Sequence, residues 1–489
     1  MKKILLISLS AVLLSLSFHP LGCYFLAWVG LVPVLFALHN SSLGKTFLHG
    51  LIFGFLFSLF SLFWIVFLQI ETNIKLLMTF GMIVMFLYIG LYIATALLLS
   101  KLLGFWSLPF VWAGLEYLKG LGELGFPWLS LGYSQARYPL IIQQASIYGV
   151  YGISFWLVLL NVSLFYFLFN KKIRALVISA IIFLLPILFG YIRLHSKPKF
   201  SKEITIGIVQ PNIDPNLKFT AQMRDETFRR LLRLSEMCQE KNPNKKLSLI
   251  IWPETATPIF IKTPGAYHDS VMALSNRLGV PILTGTPLYD RGKHELYNGA
   301  VIIEPDKGIT QEYKKLHLVP FGEHIPFDKY IPLFRKIDLG EGDYSPGYEY
   351  IIFSTNNLKF SCLICFESIF PEISREFVKQ GAQLLANITN DGWFGKISGP
   401  QQHNDMAILR TVETGVPLVR SANTGISMVV DQYGRIKKET ELFTEDIITF
   451  SLPHFNMHTI YLAIGDLFWL LFLLLTPFFA AYKIFILKR

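Results

Sequence analysis

Apolar residues are concentrated at the two ends of this 489-residue chain, and this distribution limits the possible folds more than any other feature. Nearly all residues up to Tyr191 are hydrophobic, residues 197–458 have the mixed composition of a water-soluble domain, and residues 462–487 are apolar again. The mean hydropathy of +0.45 is too high for a soluble protein of this length. The sequence therefore predicts a polytopic membrane protein that carries one globular domain.

Apolar runs of about 20 residues, enough to cross a bilayer, predict about eight transmembrane helices. The first run follows Met1-Lys2-Lys3 and resembles a signal peptide, but no clear cleavage site follows it, so we interpret it as an uncleaved helix. The other spans are expected at Tyr24–Leu38, Phe47–Gln69, Leu76–Ser100, Phe105–Leu118, Ala145–Phe169, Ala175–Leu194 and Ile460–Leu487. The predicted division is a membrane domain over 1–196, a globular domain over 197–458 and a C-terminal helix over 459–489.

The positions of Lys and Arg between the spans predict the orientation, because short loops rich in these residues stay in the cytoplasm. If the helices alternate in direction, one face carries Lys2, Lys3, Lys45, Lys101, Lys171, Lys172, Arg174, Lys488 and Arg489. We predict that this face is cytoplasmic and that the globular domain is extracytoplasmic, which in a bacterium with two membranes means periplasmic. Such clusters also explain the net charge of +10, since no basic stripe or motif indicates nucleic-acid binding.

Two features of the membrane part allow two interpretations each. Glu116, near the end of a short apolar run, is either a functional intramembrane carboxylate or a residue that reaches the interface. The loop Gly125–Gln135 contains Trp128 and Tyr133, which would form either an interfacial aromatic belt or the floor of a lipid-facing site.

Strand and helix patterns alternate along the globular domain, which indicates an α/β fold. Strands are expected at Glu203–Gln210, Leu247–Trp252, Val280–Pro287, Asn298–Glu304, Gln383–Thr389 and on both sides of Asp431–Gly434, with a further run at Glu312–Pro320. Helices are expected at Met223–Gln239, at Ala266–Leu278 and from the loop Asn390–Gly395 to Glu413.

The segment Lys359–Gly381 predicts a strand, a sharp corner and a helix. The helix begins at Pro371, whose missing N–H needs no partner in a first turn, and ends at Gly381. Cys365 lies at the corner, where we expect an exposed thiol close to a helix N-terminus, a position that favours the thiolate. We therefore take Cys365 as a candidate nucleophile.

The chain has only four cysteines, too few for a disulfide framework: Cys23, Cys238, Cys362 and Cys365. No second pair of ligands follows the C-x-x-C motif that ends at Cys365, so a zinc site is not expected, and no other metal or cofactor is suggested. Cys362 lies within the predicted strand and would tend to face away from Cys365. This favours a structural role for Cys362 over a redox role.

Glu254 and Cys365 each end a predicted strand, and Lys315 lies between them along the chain. Together these three residues would supply an acyl-transfer site, because the carboxylate can take the proton of the thiol and the ammonium can stabilise an oxyanion. Each residue also has a structural alternative: Glu254 can cap a turn, Lys315 can be a solvated charge, and Cys365 can be a small core residue. The residue types alone leave the assignment open.

Short motifs around these residues resemble those of the carbon–nitrogen hydrolase, or nitrilase, superfamily. They are Trp-Pro-Glu at 252–254, Tyr-x-Lys-x-His-Leu-Val-Pro-Phe-Gly-Glu at 313–323 and Cys-Phe-Glu at 365–367. Three further motifs resemble the apolipoprotein N-acyltransferase family: Asn-Asp-Gly-Trp-Phe-Gly at 390–395, Asn-Thr-Gly at 423–425, and Phe-Pro-Trp-Leu-x-x-Gly-Tyr-Ser-Gln in the membrane part. The resemblance covers almost the whole chain.

This resemblance implies an αββα-sandwich domain with Glu254 as general base, Lys315 as oxyanion stabiliser and Cys365 as nucleophile. It implies supporting roles for Glu323, Glu367 and Asn298. The chain departs from the family pattern at two positions. Phe366 stands where the family often has Tyr after the nucleophile, and Phe219 stands where it often has Trp.

The resemblance also implies a two-step reaction on lipid substrates. An acyl chain of a phospholipid would pass to Cys365 as a thioester and then to the α-amine of the N-terminal diacylglyceryl-cysteine of an apolipoprotein, the last step of lipoprotein maturation. One rival hypothesis is a membrane-tethered amidase or nitrilase, in which water is the acceptor. Another is a transporter or receptor whose outer domain only binds a ligand, but the sequence lacks the inverted repeats and paired internal charges that this predicts.

Overall fold

The computed structural model describes residues 1–68, 75–196, 202–243, 245–328, 330, 344–355, 358–454 and 458–487. Of the residues named above, Gln69, Lys197, Lys488 and Arg489 lie outside this part of the chain. The backbone divides into two compact units. We call them the helical unit (Met1–Ser196, Ile397–Leu409 and Thr459–Arg489) and the α/β unit (Lys197–Lys396 and Arg410–His458).

The helices, in chain order, are α1 (Lys2–Leu16), α2 (Val32–His39), α3 (Leu43–Leu62), α4 (Lys75–Leu103), α5 (Leu108–Lys119), α6 (Pro139–Ile142), α7 (Ala145–Asn170), α8 (Ile173–His195), α9 (Ala221–Glu240), α10 (Ala266–Leu278), α11 (Pro371–Lys379), α12 (Gly399–Thr414), α13 (Ile460–Ile464) and α14 (Leu467–Leu487). The strands are β1 (Lys202–Gln210), β2 (Leu249–Ile251), β3 (Ile282–Asp290), β4 (Glu295–Glu304), β5 (Gly308–Lys314), β6 (Phe353–Thr355), β7 (Leu358–Ile364), β8 (Leu385–Thr389), β9 (Leu418–Ala422), β10 (Met428–Val430), β11 (Ile436–Glu439) and β12 (Asp446–His454).

Within the described residues, four helical segments are long and apolar enough to cross a membrane: Leu43–Phe67, Thr79–Leu103, Ala145–Asn170 and Ile173–His195. Other apolar runs form shorter helices, since α1 has 15 residues and α5 has 12. A helix of this length rises less than the thickness of the hydrocarbon core. The four long apolar helices make this a membrane protein, but the predicted number of about eight transmembrane helices is not confirmed.

Glu116 and the aromatic loop are packed together inside the helical unit. The Oε1 atom of Glu116 accepts hydrogen bonds from Trp112 Nε1 at 2.8 Å and from the Leu131 N–H at 2.9 Å. Trp128 and Tyr133 are each only 3% exposed, and Trp128 Nε1 donates to Gln402 Oε1 at 2.9 Å. These contacts give Glu116 and the loop a structural role within the unit.

The described strands of the α/β unit form two mixed sheets. The first has the order β12-β1-β2-β3-β4-β5, and the second has the order β11-β10-β9-β8-β7-β6. The central strands are parallel, namely β1, β2 and β3 in the first sheet and β7, β8 and β9 in the second. Parallel strands of one sheet end at the same edge, so the residues that follow them are brought close together.

The two sheets pack face to face, with helices on their outer faces. Ser421 Oγ of β9 lies 3.0 Å from the carbonyl oxygen of Val209 in β1 and 3.2 Å from that of Ile251 in β2. Buried residues of α9 and α10, such as Leu231 and Leu274, share a core with the first sheet. On the other side, α11 packs against β7. This is the αββα sandwich that the resemblance implies, and the α/β fold class is confirmed.

Candidate active site

Glu254 follows β2 at a corner of the chain that its neighbours hold in place. The next residue, Thr255, has a left-handed backbone with φ of +47°. Gly285 of β3 lies directly behind this corner, where a Cβ atom would come within 2.7 Å of the Glu254 Cα. No side chain fits there, so glycine lets the corner approach the sheet. Glu254 is 7% exposed, and its carboxylate accepts a hydrogen bond from the Asn390 N–H at 2.9 Å.

Lys315 follows β5 and is almost completely buried, with 1% of its side chain exposed. Its Nζ atom lies 2.9 and 2.8 Å from the two carboxylate oxygens of Glu323 and 3.6 Å from Glu254 Oε1. Burial alone would lower the pKa of this ammonium, but the carboxylates of Glu323 and Glu254 raise the pKa above its ordinary value. Lys315 therefore carries a permanent positive charge beside Glu254.

Asn298 of β4 joins the two carboxylates. Its Nδ2 atom donates to Glu254 Oε1 at 2.8 Å and to Glu323 Oε1 at 2.6 Å. The two N–H bonds of one amide can serve both acceptors, so Asn298 fixes the separation of the carboxylates. Glu323 is held further by the Val319 N–H, which donates to its Oε2 atom at 2.9 Å.

Cys365 begins a short 3₁₀ helix, Cys365–Ile369, directly after β7, and its φ of +50° is left-handed. The thiol is half-buried and lies close enough to the charges of Glu254 and Lys315 for both to affect its pKa. The structure thus brings together Glu254, Lys315 and Cys365, although Glu254 and Cys365 are more than 100 residues apart along the chain.

The expectation of an exposed thiol that favours the thiolate is wrong. Burial raises the pKa of Cys365 above its ordinary value, and the negative charges of Glu254 and Asp391 raise it further, while Lys315 opposes them. The helix that begins at Pro371 starts six residues later, so its N-terminus is not at the thiol. A raised pKa favours the neutral thiol, so Cys365 needs a base to become a nucleophile.

Glu367 is fully buried and connects the corner after β7 with the corner after β5. Its Oε2 atom accepts from the Ile364 N–H at 2.6 Å, while Oε1 accepts from Tyr313 Oη at 2.7 Å and from the Leu316 N–H at 2.6 Å. Burial raises the pKa of Glu367 to about 7, and these donors oppose that increase. Glu367 therefore braces the backbone on either side of Lys315 and Cys365.

We expect Glu367→Gln to destabilise the α/β unit by about 2 kcal/mol, because an amide has one acceptor oxygen where the carboxylate has two. The NH₂ group of the new amide would face the N–H of either Ile364 or Leu316, so that two donors would meet without an acceptor. Thermal unfolding of the full chain in detergent measures the effect, with Glu376→Gln as the control, since the Glu376 side chain on α11 is 34% exposed. An equal melting temperature for Glu367→Gln and the control would contradict this bracing role.

Cys362 lies three residues before the nucleophile. Cys362 is fully buried in β7, and all four cysteines are described and free of disulfide bonds.

Asp391 lies within 4.8 Å of the Cys365 sulfur and accepts hydrogen bonds from Arg420 at 2.7 Å and from Thr389 Oγ1 at 2.9 Å. The guanidinium of Arg420 thus compensates a carboxylate that would otherwise oppose a thiolate.

The sequence did not single out Tyr313, Asp391 and Arg420 as contributors to the site. It also did not single out Lys218, whose Nζ atom donates to the Glu254 carbonyl oxygen at 3.2 Å. Tyr313 and Asp391 lie inside motifs that were recognised, so those motifs were the available signal. Lys218 directly precedes Phe219, which is one of the two departures from the family pattern. Of these two departures, Phe219 is 58% exposed and Phe366 is buried. No motif marks Arg420, whose partner in the ion pair is 29 residues away.

The chain matches two known families over most of its length. Residues 10–163 match the family described as apolipoprotein N-acyltransferase N-terminal domain, and residues 205–455 match the carbon-nitrogen hydrolase family. Among solved structures, the crystal structure of Saccharomyces cerevisiae Nit3, a member of branch 10 of the nitrilase superfamily, aligns with 55% of this chain and 97% of that chain, at 20% identity and a TM-score of 0.41.

Curated relatives match along nearly the whole sequence. The apolipoprotein N-acyltransferase of Geobacter metallireducens is 36% identical over 94% of this chain and 91% of that protein. The enzyme of the same name from Chlorobaculum tepidum is 31% identical over 94% of this chain and 92% of that protein. With this identity and coverage, and with a carbon-nitrogen hydrolase domain joined to apolar helices, the chain belongs to the apolipoprotein N-acyltransferase family.

Proposed function

We propose that this protein transfers an acyl chain from a membrane phospholipid to the α-amine of the N-terminal diacylglyceryl-cysteine of an apolipoprotein, through a thioester on Cys365. The observation that carries the proposal is that a thiol, a buried carboxylate and a buried ammonium lie together at one site. The relatives, named as apolipoprotein N-acyltransferases, support acyl transfer to an apolipoprotein nitrogen, and the phospholipid donor is what the family resemblance implies. A membrane protein is suited to these substrates, because the phospholipid and the diacylglyceryl group of the apolipoprotein both reside in the membrane.

In the first half-reaction Glu254 takes the proton of the Cys365 thiol as the sulfur attacks the ester carbonyl of the phospholipid. The carbonyl oxygen becomes an oxyanion, and the Lys315 ammonium stabilises it by a charge-assisted hydrogen bond. The carbon–oxygen bond of the ester then breaks. The protonated Glu254 gives its proton to the leaving alkoxide, so lysophospholipid departs and a thioester remains.

In the second half-reaction the α-amine of the acceptor attacks the thioester carbonyl. Glu254 removes a proton from the attacking nitrogen, Lys315 again stabilises the oxyanion, and the carbon–sulfur bond breaks. The sulfur recovers a proton from Glu254, which returns the site to its resting state. The product is an amide between the acyl chain and the N-terminal cysteine.

The environment of Glu254 suits this alternation between base and acid. Burial raises the pKa of Glu254 above its ordinary value, the charge of Lys315 opposes this, and Glu323 raises the pKa further. A carboxyl group with a raised pKa holds a proton more readily at neutral pH and can return it to a leaving group. Asn298 and the Asn390 N–H keep its oxygens oriented.

We place the protein in the bacterial inner membrane with the α/β unit on the periplasmic side. The distribution of Lys and Arg between the apolar runs supports this orientation. The relatives named above are bacterial, and the chain has several helices long enough to span a bilayer within its described part.

The identity of the acceptor tests the proposal against a membrane-tethered amidase. Purified protein would be incubated with a phospholipid that carries a labelled acyl chain, with and without a synthetic diacylglyceryl-cysteine peptide. We expect the label to move to the peptide amine much faster than to water, and to stay in phospholipid when the peptide is N-acetylated. Release of free fatty acid at the same rate with or without peptide would contradict acyl transfer and favour a hydrolase.

A further inference from the structure

A second buried lysine lies against the Glu254 corner. Lys218 is only 2% exposed, and it belongs to the loop between β1 and α9. Its Nζ atom donates a hydrogen bond to the main-chain carbonyl oxygen of Glu254 at 3.2 Å. Burial of an ammonium costs several kcal/mol unless a nearby negative charge compensates it, so a lysine in this place requires a reason.

The loop that carries Lys218 is itself held firmly. The Lys218 N–H donates to the carbonyl oxygen of Asp214 at 3.1 Å. One turn earlier, Ile213 and Asn423 exchange two hydrogen bonds, because the Ile213 N–H donates to Asn423 Oδ1 at 2.9 Å and Asn423 Nδ2 donates to the Ile213 carbonyl at 2.7 Å. The backbone of the loop that carries Lys218 is thus tied to the Asn-Thr-Gly motif at 423–425.

The charges around Glu254 show why one lysine is not enough. Lys315 makes its two close contacts with Glu323, at 2.8 and 2.9 Å, and lies 3.6 Å from Glu254. Two carboxylates therefore share one ammonium in a buried site. Lys218 supplies the second positive charge, which balances the pair.

We propose that Lys218 is a positioning residue for the general base, which fixes the Glu254 corner and keeps the Glu254 carboxylate ionised so that it can accept the thiol proton. This inference rests on the proposed acyl-transfer function and adds a fourth residue to its machinery. Lys218 does not touch a reacting atom, and it acts through Glu254.

The titratable groups that face Glu254 come from four parts of the α/β unit: Lys218, Lys315, Glu323 and Cys365. Burial lowers the pKa of Lys218 to about 8, although Glu254 opposes this, so the side chain is positively charged at neutral pH. Its charge lowers the pKa of Glu254, against burial and Glu323, which raise it. Loss of the positive charge would therefore raise the pKa of Glu254 and leave less of it ionised near neutrality.

The test is the pH dependence of single-turnover thioester formation by the full chain with labelled phospholipid and no acceptor. Lys218→Gln retains a donor for the Glu254 carbonyl but removes the charge. We expect the acidic limb of the rate profile to move up by about one pH unit, with about a tenfold lower rate on that limb. Lys218→Met should give the same shift, and Lys218→Arg should keep the limb of the unchanged protein.

Lys262→Met is the matched control, since Lys262 is 55% exposed and pairs with Glu312 at 2.7 Å, and its profile should not change. Thermal unfolding shows which variants are folded, and Lys218→Met serves where Lys218→Gln does not fold. A rate that falls equally at every pH, an unchanged profile, or a shifted limb for Lys218→Arg would overturn the role of the charge. If the unchanged protein forms no thioester, the proposed function itself fails; if it does and the limb stays in place, only this inference fails.

Discussion

The Cys365→Ala variant is expected to lose amide formation by about 10⁴-fold or more, because no other group in the described site can form the thioester. The assay is the transfer of a labelled acyl chain from phospholipid to a diacylglyceryl-cysteine peptide by purified full-length protein. Alanine removes only the sulfur, so the surrounding contacts of Glu367 and Lys315 remain possible. The loss should therefore occur without a large change in melting temperature.

Cys362→Ala is the matched control for this experiment. Cys362 is fully buried in β7, three residues before the corner, and it makes no contribution to the proposed reaction. We expect the rate per folded molecule to stay near that of the unchanged protein. Full amide formation by Cys365→Ala, or an equal loss in both variants, would show that Cys365 is not the nucleophile.

The Lys315→Met variant is expected to lower the rate of acyl transfer by about 10²–10³-fold, because the oxyanion loses its charged donor. Methionine keeps the length of the apolar stem but leaves Glu254 and Glu323 without their shared ammonium. Both carboxyl groups would then bind protons more readily, which weakens Glu254 as a base. The rate of thioester formation in a single turnover measures the combined effect.

Lys314→Met provides a control at the neighbouring position. The Nζ atom of Lys314 lies 3.6 Å from Asp290 and 4.0 Å from the centre of the Tyr297 ring, so it faces away from the carboxylates of the site. We expect a rate within about twofold of the unchanged protein, because Lys314 and Asp290 form a partly solvated ion pair that contributes little energy. Similar losses in Lys314→Met and Lys315→Met would contradict a specific role for Lys315.

The grouping of Glu254, Lys315 and Cys365 could be anticipated because each residue lies within a short family-like motif, and Glu254 and Cys365 each come at the end of a predicted strand. In the structure Glu254 follows β2 of the first sheet and Cys365 follows β7 of the second, so the face-to-face packing of the two sheets brings these residues together. Their catalytic roles stay predictions until the variants are measured.

The protonation state of Cys365 could not be predicted from the sequence. The pattern of strand, corner and helix indicated a thiolate, but the pKa depends on burial and on charges from Glu254, Lys315 and Asp391. These residues come from distant parts of the chain. Lys218 escaped notice for the same reason, since its contact with Glu254 bridges 36 residues and no local pattern marks it.

The number of membrane-spanning helices could also not be predicted from the apolar runs of the sequence. Apolar runs such as that of α5 were interpreted as spans from composition, but α5 has only 12 residues and most of its side chains are buried against other parts of the helical unit. Hydropathy reports how apolar a segment is, and it does not distinguish a helix that contacts lipid from a short helix packed inside a bundle. Strand β12 was not predicted, and its partner β1 is far along the chain; β9, which pairs with β8 and β10, was also not predicted.

The measurement that tests the central claim most directly is mass spectrometry of the Cys365 peptide after incubation of the protein with phospholipid and no acceptor. We expect a hydroxylamine-labile acyl mass on Cys365, which a diacylglyceryl-cysteine peptide discharges rapidly and water discharges slowly. The mass should be absent from Cys365→Ala and strongly reduced in Glu254→Gln and Lys315→Met. Efficient amide formation with no acyl mass on Cys365 at any time would contradict the thioester mechanism.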